Sequence, residues 1–167
     1  KWNNQINFYG QFLIDEFSTT DVKAANNSWK NKFGHQLGVK YFNAFNIENL
    51  LFQVEYNHVR PYVYSHSDPL TNYAHSNQSL GHQWGGNFKE FIFIARYHKG
   101  RFFSDAKITS GVRGLDFNTI ADSKNYGGDI YKDYDDARAL DTNVKVGQGN
   151  KTTIFIADFQ AGYLINP

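Results

Sequence analysis

The sequence predicts an all-β chain: an antiparallel up-and-down sheet of about six strands, part of a transmembrane β-barrel. Three observations predict it. Apolar and polar residues alternate with period two in six separate segments, and successive side chains of a strand point to opposite faces. Short and long links alternate between those segments. The chain is rich in aromatics (17%, with 15 Phe and 11 Tyr) although only 41% of it is hydrophobic and its mean hydropathy is −0.58. Strands that are apolar on one face and polar on the other produce that combination.

The first segment sets Ile6, Phe8, Phe12 and Ile14 against Asn7, Tyr9, Gln11 and Asp15. The second sets Phe33, Leu37, Val39 and Tyr41 against Gly34, Gln36, Gly38 and Lys40, with His35 interrupting the apolar face near its loop end. The third reads Leu50, Phe52, Val54 and Tyr56 against Gln53, Glu55 and Asn57. Its pattern slips at His58, where a bulge or an exit from the apolar band is expected. In the fourth, 87–98, Phe91, Phe93, Ala95 and Tyr97 oppose Glu90 and Arg96, while Ile92 and Ile94 blur the alternation. The fifth sets Phe102, Ala106, Ile108 and Val112 against Asp105, Lys107, Thr109 and Arg113. The sixth sets Phe155, Ala157, Phe159, Ala161 and Tyr163 against Ile154, Ile156, Asp158 and Gln160. Each segment reaches the ~9–11 residues that a tilted strand needs to cross a bilayer. The most helix-like stretch, 129–140, carries four aspartates and few apolar partners, and is assigned to a loop.

The links after the second and fourth segments are short, the latter being His98-Lys99-Gly100-Arg101. The links at about 18–32, 65–86 and 114–151 are long. In a meander, alternating links lie at opposite ends of the sheet, and outer-membrane barrels place short turns on the periplasmic side and long loops outside. Single-chain barrels begin at about eight strands, and an open sheet in lipid would leave two edges unpaired. With no initiator Met and a turn signal at Asn166-Pro167, the 167 residues are expected to be a single barrel fragment, from the C-terminal half of a longer protein.

Seventeen basic residues nearly cancel sixteen acidic ones. No basic stripe results, so nucleic acid is not an expected partner. Cysteine is absent, which excludes disulfides and thiolate metal sites. No apolar run approaches the ~18 residues of a transmembrane helix. No nucleophile elbow, P-loop or dinucleotide fingerprint occurs, and the chain is expected not to be an enzyme and to need no cofactor.

The expected lumen face carries Asp15, Lys40, Glu55, Glu90, Arg96, Asp105, Lys107, Arg113 and Asp158. Signs of both kinds are interspersed, as cross-strand ion pairs require. The polar link 66–87 is rich in His, Asn, Gln, Tyr and Trp, side chains that hydrogen-bond sugar hydroxyls or pack on sugar rings. His66, Asn72, Tyr73, His75, Gln78, His82 and Trp84 are its candidate ligand-binding residues. His66, Asp68, His75 and His82 are suitable metal ligands by type, but no spacing matches a metal motif. Asp129, Asp133, Asp135, Asp136 and Asp141 are dense enough for calcium but depart from the EF-hand pattern. No metal site is expected.

Two stretches carry a family likeness. One is Phe8-Tyr9-Gly10-Gln11-Phe12-Leu13-Ile14-Asp15-Glu16-Phe17. The other runs through Asn57-His58-Val59-Arg60-Pro61-Tyr62-Val63-Tyr64, Asn72-Tyr73-Ala74-His75, Gln78-Ser79-Leu80-Gly81-His82 and Gly86-Asn87-Phe88-Lys89-Glu90. Together they resemble the Wzi family of capsule-assembly outer-membrane barrels, in particular its Bacteroidetes branch, which includes gliding-motility proteins. Ser79 stands where the family pattern has Pro. The resemblance implies residence in the outer membrane of a Gram-negative bacterium, lipid around the barrel, and a non-enzymatic role in organising capsule or exopolysaccharide or in gliding. It implies no catalytic residues. Two alternatives stand beside it: a structural barrel subunit partnered with other envelope proteins in a motility or secretion machine, and a soluble β-sandwich lectin.

Overall fold

The computed structural model describes residues 4–165, leaving aside the Pro69 side chain. The strands are β1 (Ile6–Glu16), β2 (Lys32–Phe42), β3 (Leu50–Val59), β4 (Ala74–His75), β5 (Gln78–Ser79), β6 (Phe88–Lys99), β7 (Phe102–Leu115) and β8 (Asn150–Tyr163). Six of them form one antiparallel sheet in the order β1-β2-β3-β6-β7-β8, and β4 and β5 form a separate small hairpin. Each long strand pairs only with the long strands before and after it in the chain.

Register determines what each face presents. Phe8, Val39, Val54, Phe93, Ile108 and Ala157 align as one row across all six strands. Beside it run Gly10, Leu37, Tyr56, Phe91, Ser110, Phe155 and, on the other side, Ile6, Tyr41, Phe52, Ala95, Ala106, Phe159. These three rows contain no charged residue. On the opposite face at the same level lie Lys40, Glu55, Lys107 and Asp158. The apolar rows are open: Phe8 is 60% exposed, Phe91 58% and Phe159 74%. Among the described residues no second sheet covers them. The band stops toward the long links at His35, His58 and Lys89, which align on the apolar face. Toward the short links, Tyr41, Tyr97 and Tyr163 are among its last residues.

The short links are tight. Gly100 takes φ +59° in the two-residue turn between β6 and β7, as the first central position of a type II′ hairpin requires. Between β2 and β3, Asn43, Phe45, Asn46 and Asn49 all have positive φ, and Asn49 N–H donates to Asn43 Oδ1 at 2.9 Å.

Several boundaries differ from the sequence expectation. β3 stops at Val59, so its following loop runs 60–87 rather than 65–86. Pro61 has no N–H for the ladder, and Tyr62 and Tyr64 turn to φ +68° and +72°. The other long loops are 17–31 and 116–149. The first holds an unforeseen single-turn helix, α1 (Thr19–Lys23), whose Asp21 N–H is accepted by Ser18 Oγ. His58 is not at a bulge: pairing is unbroken on both sides of it, and the register shift falls instead between Ile14 and Glu16. The Asn166-Pro167 turn lies outside the described residues.

The core lies where the long loops fold onto the polar face. Val59, Val63, Trp84 and Phe88 form one buried cluster, joined by Leu13, Tyr64 and Ile154. Trp84 meets Phe88 edge-on at 5.5 Å, a geometry worth about 0.5–1.5 kcal/mol beyond area burial. Trp29, Tyr62 and Val144, one from each long loop, form the second cluster with Tyr134.

Candidate functional site

Eight of the nine charged residues expected on one face share it by register, Asp15 falls at the break in the β1–β2 ladder, and the structure links several of them. Tyr9 Oη donates to Glu55 Oε2 at 2.5 Å and accepts from Gln53 Nε2 at 2.8 Å. Gln36 Nε2 donates to Glu55 Oε1 at 2.8 Å. The Asn57 amide donates to Glu55 and to Glu90, both at 2.9 Å. His82 Nε2 reaches Glu90 Oε1 at 2.6 Å and its ring stacks on Phe88 at 4.2 Å. Glu90 is 1% exposed, and a buried carboxylate without partners would be prohibitive. This network satisfies it and pins loop 60–87 to the sheet. Further along the face Arg96 pairs with Asp105 at 3.1 Å. Asp15 accepts from Tyr64 N–H at 3.1 Å, with His66 3.9 Å away.

The loops are locked to one another by groups the sequence did not mark. The Asn87 amide nitrogen lies 3.0–3.1 Å from the carbonyls of Gly114, Tyr126 and Gln148, and its oxygen accepts from Gly147 N–H. Lys32 is fully buried. It pairs with Glu16 at 3.1 Å, donates to Ser65 O at 3.3 Å and lies 3.8 Å from the Tyr134 ring centroid. Arg138 lies 3.9 Å over Trp29 and pairs with Asp135 and Asp141, so the aspartate-rich segment is organised around a cation of the protein itself. Asp129 and Asp133 accept from N–H groups two residues on. Among the described residues no three His, Asp or Glu side chains converge as metal ligands would.

The seven loop candidates divide. His82 belongs to the Glu90 network. Trp84 is 8% exposed, its ring covers Gly111 and it packs with Val59, Val63 and Phe88, so it is core rather than ligand surface. Tyr73 stacks on Tyr64 at 5.6 Å and is half exposed. His75 and Gln78 are exposed on the β4–β5 hairpin, Asn72 is half-buried just before it, and His66 is half-buried near Tyr134. Only Gln78 of the seven lines the cleft between this hairpin and segment 115–131, a cavity of about 620 Å³. Ser79, Gln83, Arg113 and Tyr131 also line it. Of these, sequence reasoning had Arg113 on the lumen face and missed the rest.

No protein-family model, curated protein or solved structure matches the chain.

Proposed function

We propose that the six-stranded sheet is a wall segment of an outer-membrane β-barrel that binds surface polysaccharide on its long-loop side, without turning it over. The observation that carries the membrane assignment is the uncovered, charge-free band of apolar rows backed by a hydrogen-bonded polar face. Contiguous exposed apolar patches on soluble monomers rarely exceed a few hundred Å², and lipid is the solvent that such a face requires. The long strands have 10 to 14 residues, enough to cross with tilt. The tyrosines at the short-turn end match an interfacial girdle. β1 and β8 are edges, and in lipid each needs a neighbour, which further strands of a closed barrel supply. The polysaccharide role is supported by the likeness to the Wzi family and by the exposed amide and aromatic side chains of the hairpin loop.

Fluorescence in bilayers tests the membrane assignment. In the full-length protein reconstituted in brominated lipid, tryptophan introduced as Phe93→Trp is expected to be quenched, and tryptophan introduced as Ile94→Trp to be protected. Equal quenching at the two positions, or a full-length protein that stays soluble without detergent, would sink the barrel reading.

A further inference from the structure

The polar groups of the sheet are mostly spent on one another, whereas two at the 620 Å³ cleft are not. Ser79 Oγ and Arg113 Nε are buried without a hydrogen-bond partner. They come from the β4–β5 hairpin and from the end of β7, and both residues line the same cleft. Buried polar atoms are nearly always partnered, and an exception calls for an explanation such as an absent ligand. The sole hydrogen bond of the Arg113 guanidinium among the described residues runs from Nη2 to Gly128 O and is long, 3.4 Å. Five N–H donors in a fixed fork are therefore nearly unused. The side chains of Gln78, Gln83 and Tyr131 complete the wall.

We propose that this cleft is a binding site for a neutral, hydroxyl-rich saccharide. The assignment rests on the polysaccharide reading above and gives it a location and a chemical class. Size fits first, since small-molecule sites span ~300–1,000 Å³. Amide side chains donate and accept at once, as sugar hydroxyls do. Tyr131, exposed in the wall, offers apolar surface to the C–H face of a sugar ring. Charge selects against an anion. Arg113 is faced by Asp129, and Asp116, also in the wall, is paired with Lys132 at 2.6 Å. The lining thus carries no surplus positive charge to hold a uronate. Hydroxyls of a bound saccharide are the partners that Ser79 Oγ and Arg113 Nε lack.

Calorimetric titration of the full-length protein in detergent tests this, with neutral hexose trisaccharides and trisaccharides carrying one uronic acid as probes. A neutral trisaccharide is expected to bind. Gln83→Ala and Arg113→Gln are each expected to weaken it by about tenfold, the worth of one good hydrogen bond. Ser79→Ala should weaken binding several-fold without lowering the thermal midpoint, because its hydroxyl has no partner to lose. Gln83→Ala keeps the test valid if the half-buried Arg113 variant folds poorly. Preference for the uronic-acid probes overturns the chemical class. Neutral-sugar binding that survives all three substitutions overturns the cleft while leaving the polysaccharide reading intact. Failure of every sugar to bind overturns both.

Discussion

Tyr62 is fully buried where the three long loops meet, and its hydroxyl donates to Asn125 O at 2.8 Å. Burial pushes this phenol from 10.0 to about 12. A pKa raised by folding means that the stabilisation is whole below the unfolded value and is lost as pH rises through the folded one. The loop cap is therefore expected to weaken between about pH 10 and 12, followed by near-UV circular dichroism. Tyr62→Phe should cost ~0.5–1.5 kcal/mol at neutral pH, the net worth of one hydrogen bond, because the Asn125 carbonyl keeps the Ala139 N–H as a donor, yet flatten that alkaline decline. An unchanged decline would assign it to another group. At this scale the sequence revealed faces better than partners. Period two places Tyr9, Glu55 and Glu90 on one side once a strand exists. Asn87 was not legible, because its three carbonyl contacts are 27, 39 and 61 residues away in sequence and exist only after the loops have folded.

Between neighbouring strands, glycines make room for aromatic rings. Gly38 pairs with Tyr9, and a Cβ at Gly38 would collide with the Tyr9 ring. Gly162 and Phe103 repeat the arrangement at the other edge. Aromatics lying over glycines are a known means of pinning register. Tyr9 cannot swing aside freely, because its hydroxyl is tied to Glu55 and Gln53. Gly38→Ala is therefore expected to destabilise by about 1–3 kcal/mol, the usual range for overpacking, read as a lower urea midpoint in detergent. A neutral effect would show that the β1–β2 pairing has slack. The strands themselves were readable from alternation, and the long and short links from turn residues. The helix α1 was not, since one turn leaves too few residues for a 3.6-residue period to show. The β4–β5 hairpin was hidden for the same reason, each strand having two residues.

For the molecule as a whole, the two faces ask for different solvents, and one pair of adjacent positions separates them. Phe93 lies in the central apolar row and Ile94 on the polar face opposite Lys107. In a barrel wall, Phe93→Arg is expected to cost ~2–4 kcal/mol, as a lipid-facing arginine near the midplane does, while Ile94→Arg is tolerated. Equilibrium unfolding in lipid vesicles gives both numbers, and similar costs would mean that the two faces share one environment. The meander has another consequence, for the order in which the sheet is assembled. Every long strand pairs with the long strands next to it in the chain, so each addition requires closing one loop and never threads the chain through another. Closure entropy grows only as the logarithm of loop length, which makes the two-residue turn between β6 and β7 the least costly junction and loop 116–149 only moderately dearer. Growth outward from that hairpin is thermodynamically the shallowest path. The buried cluster of the long loops draws on all three of them, so it can be completed only once the strands between them are placed.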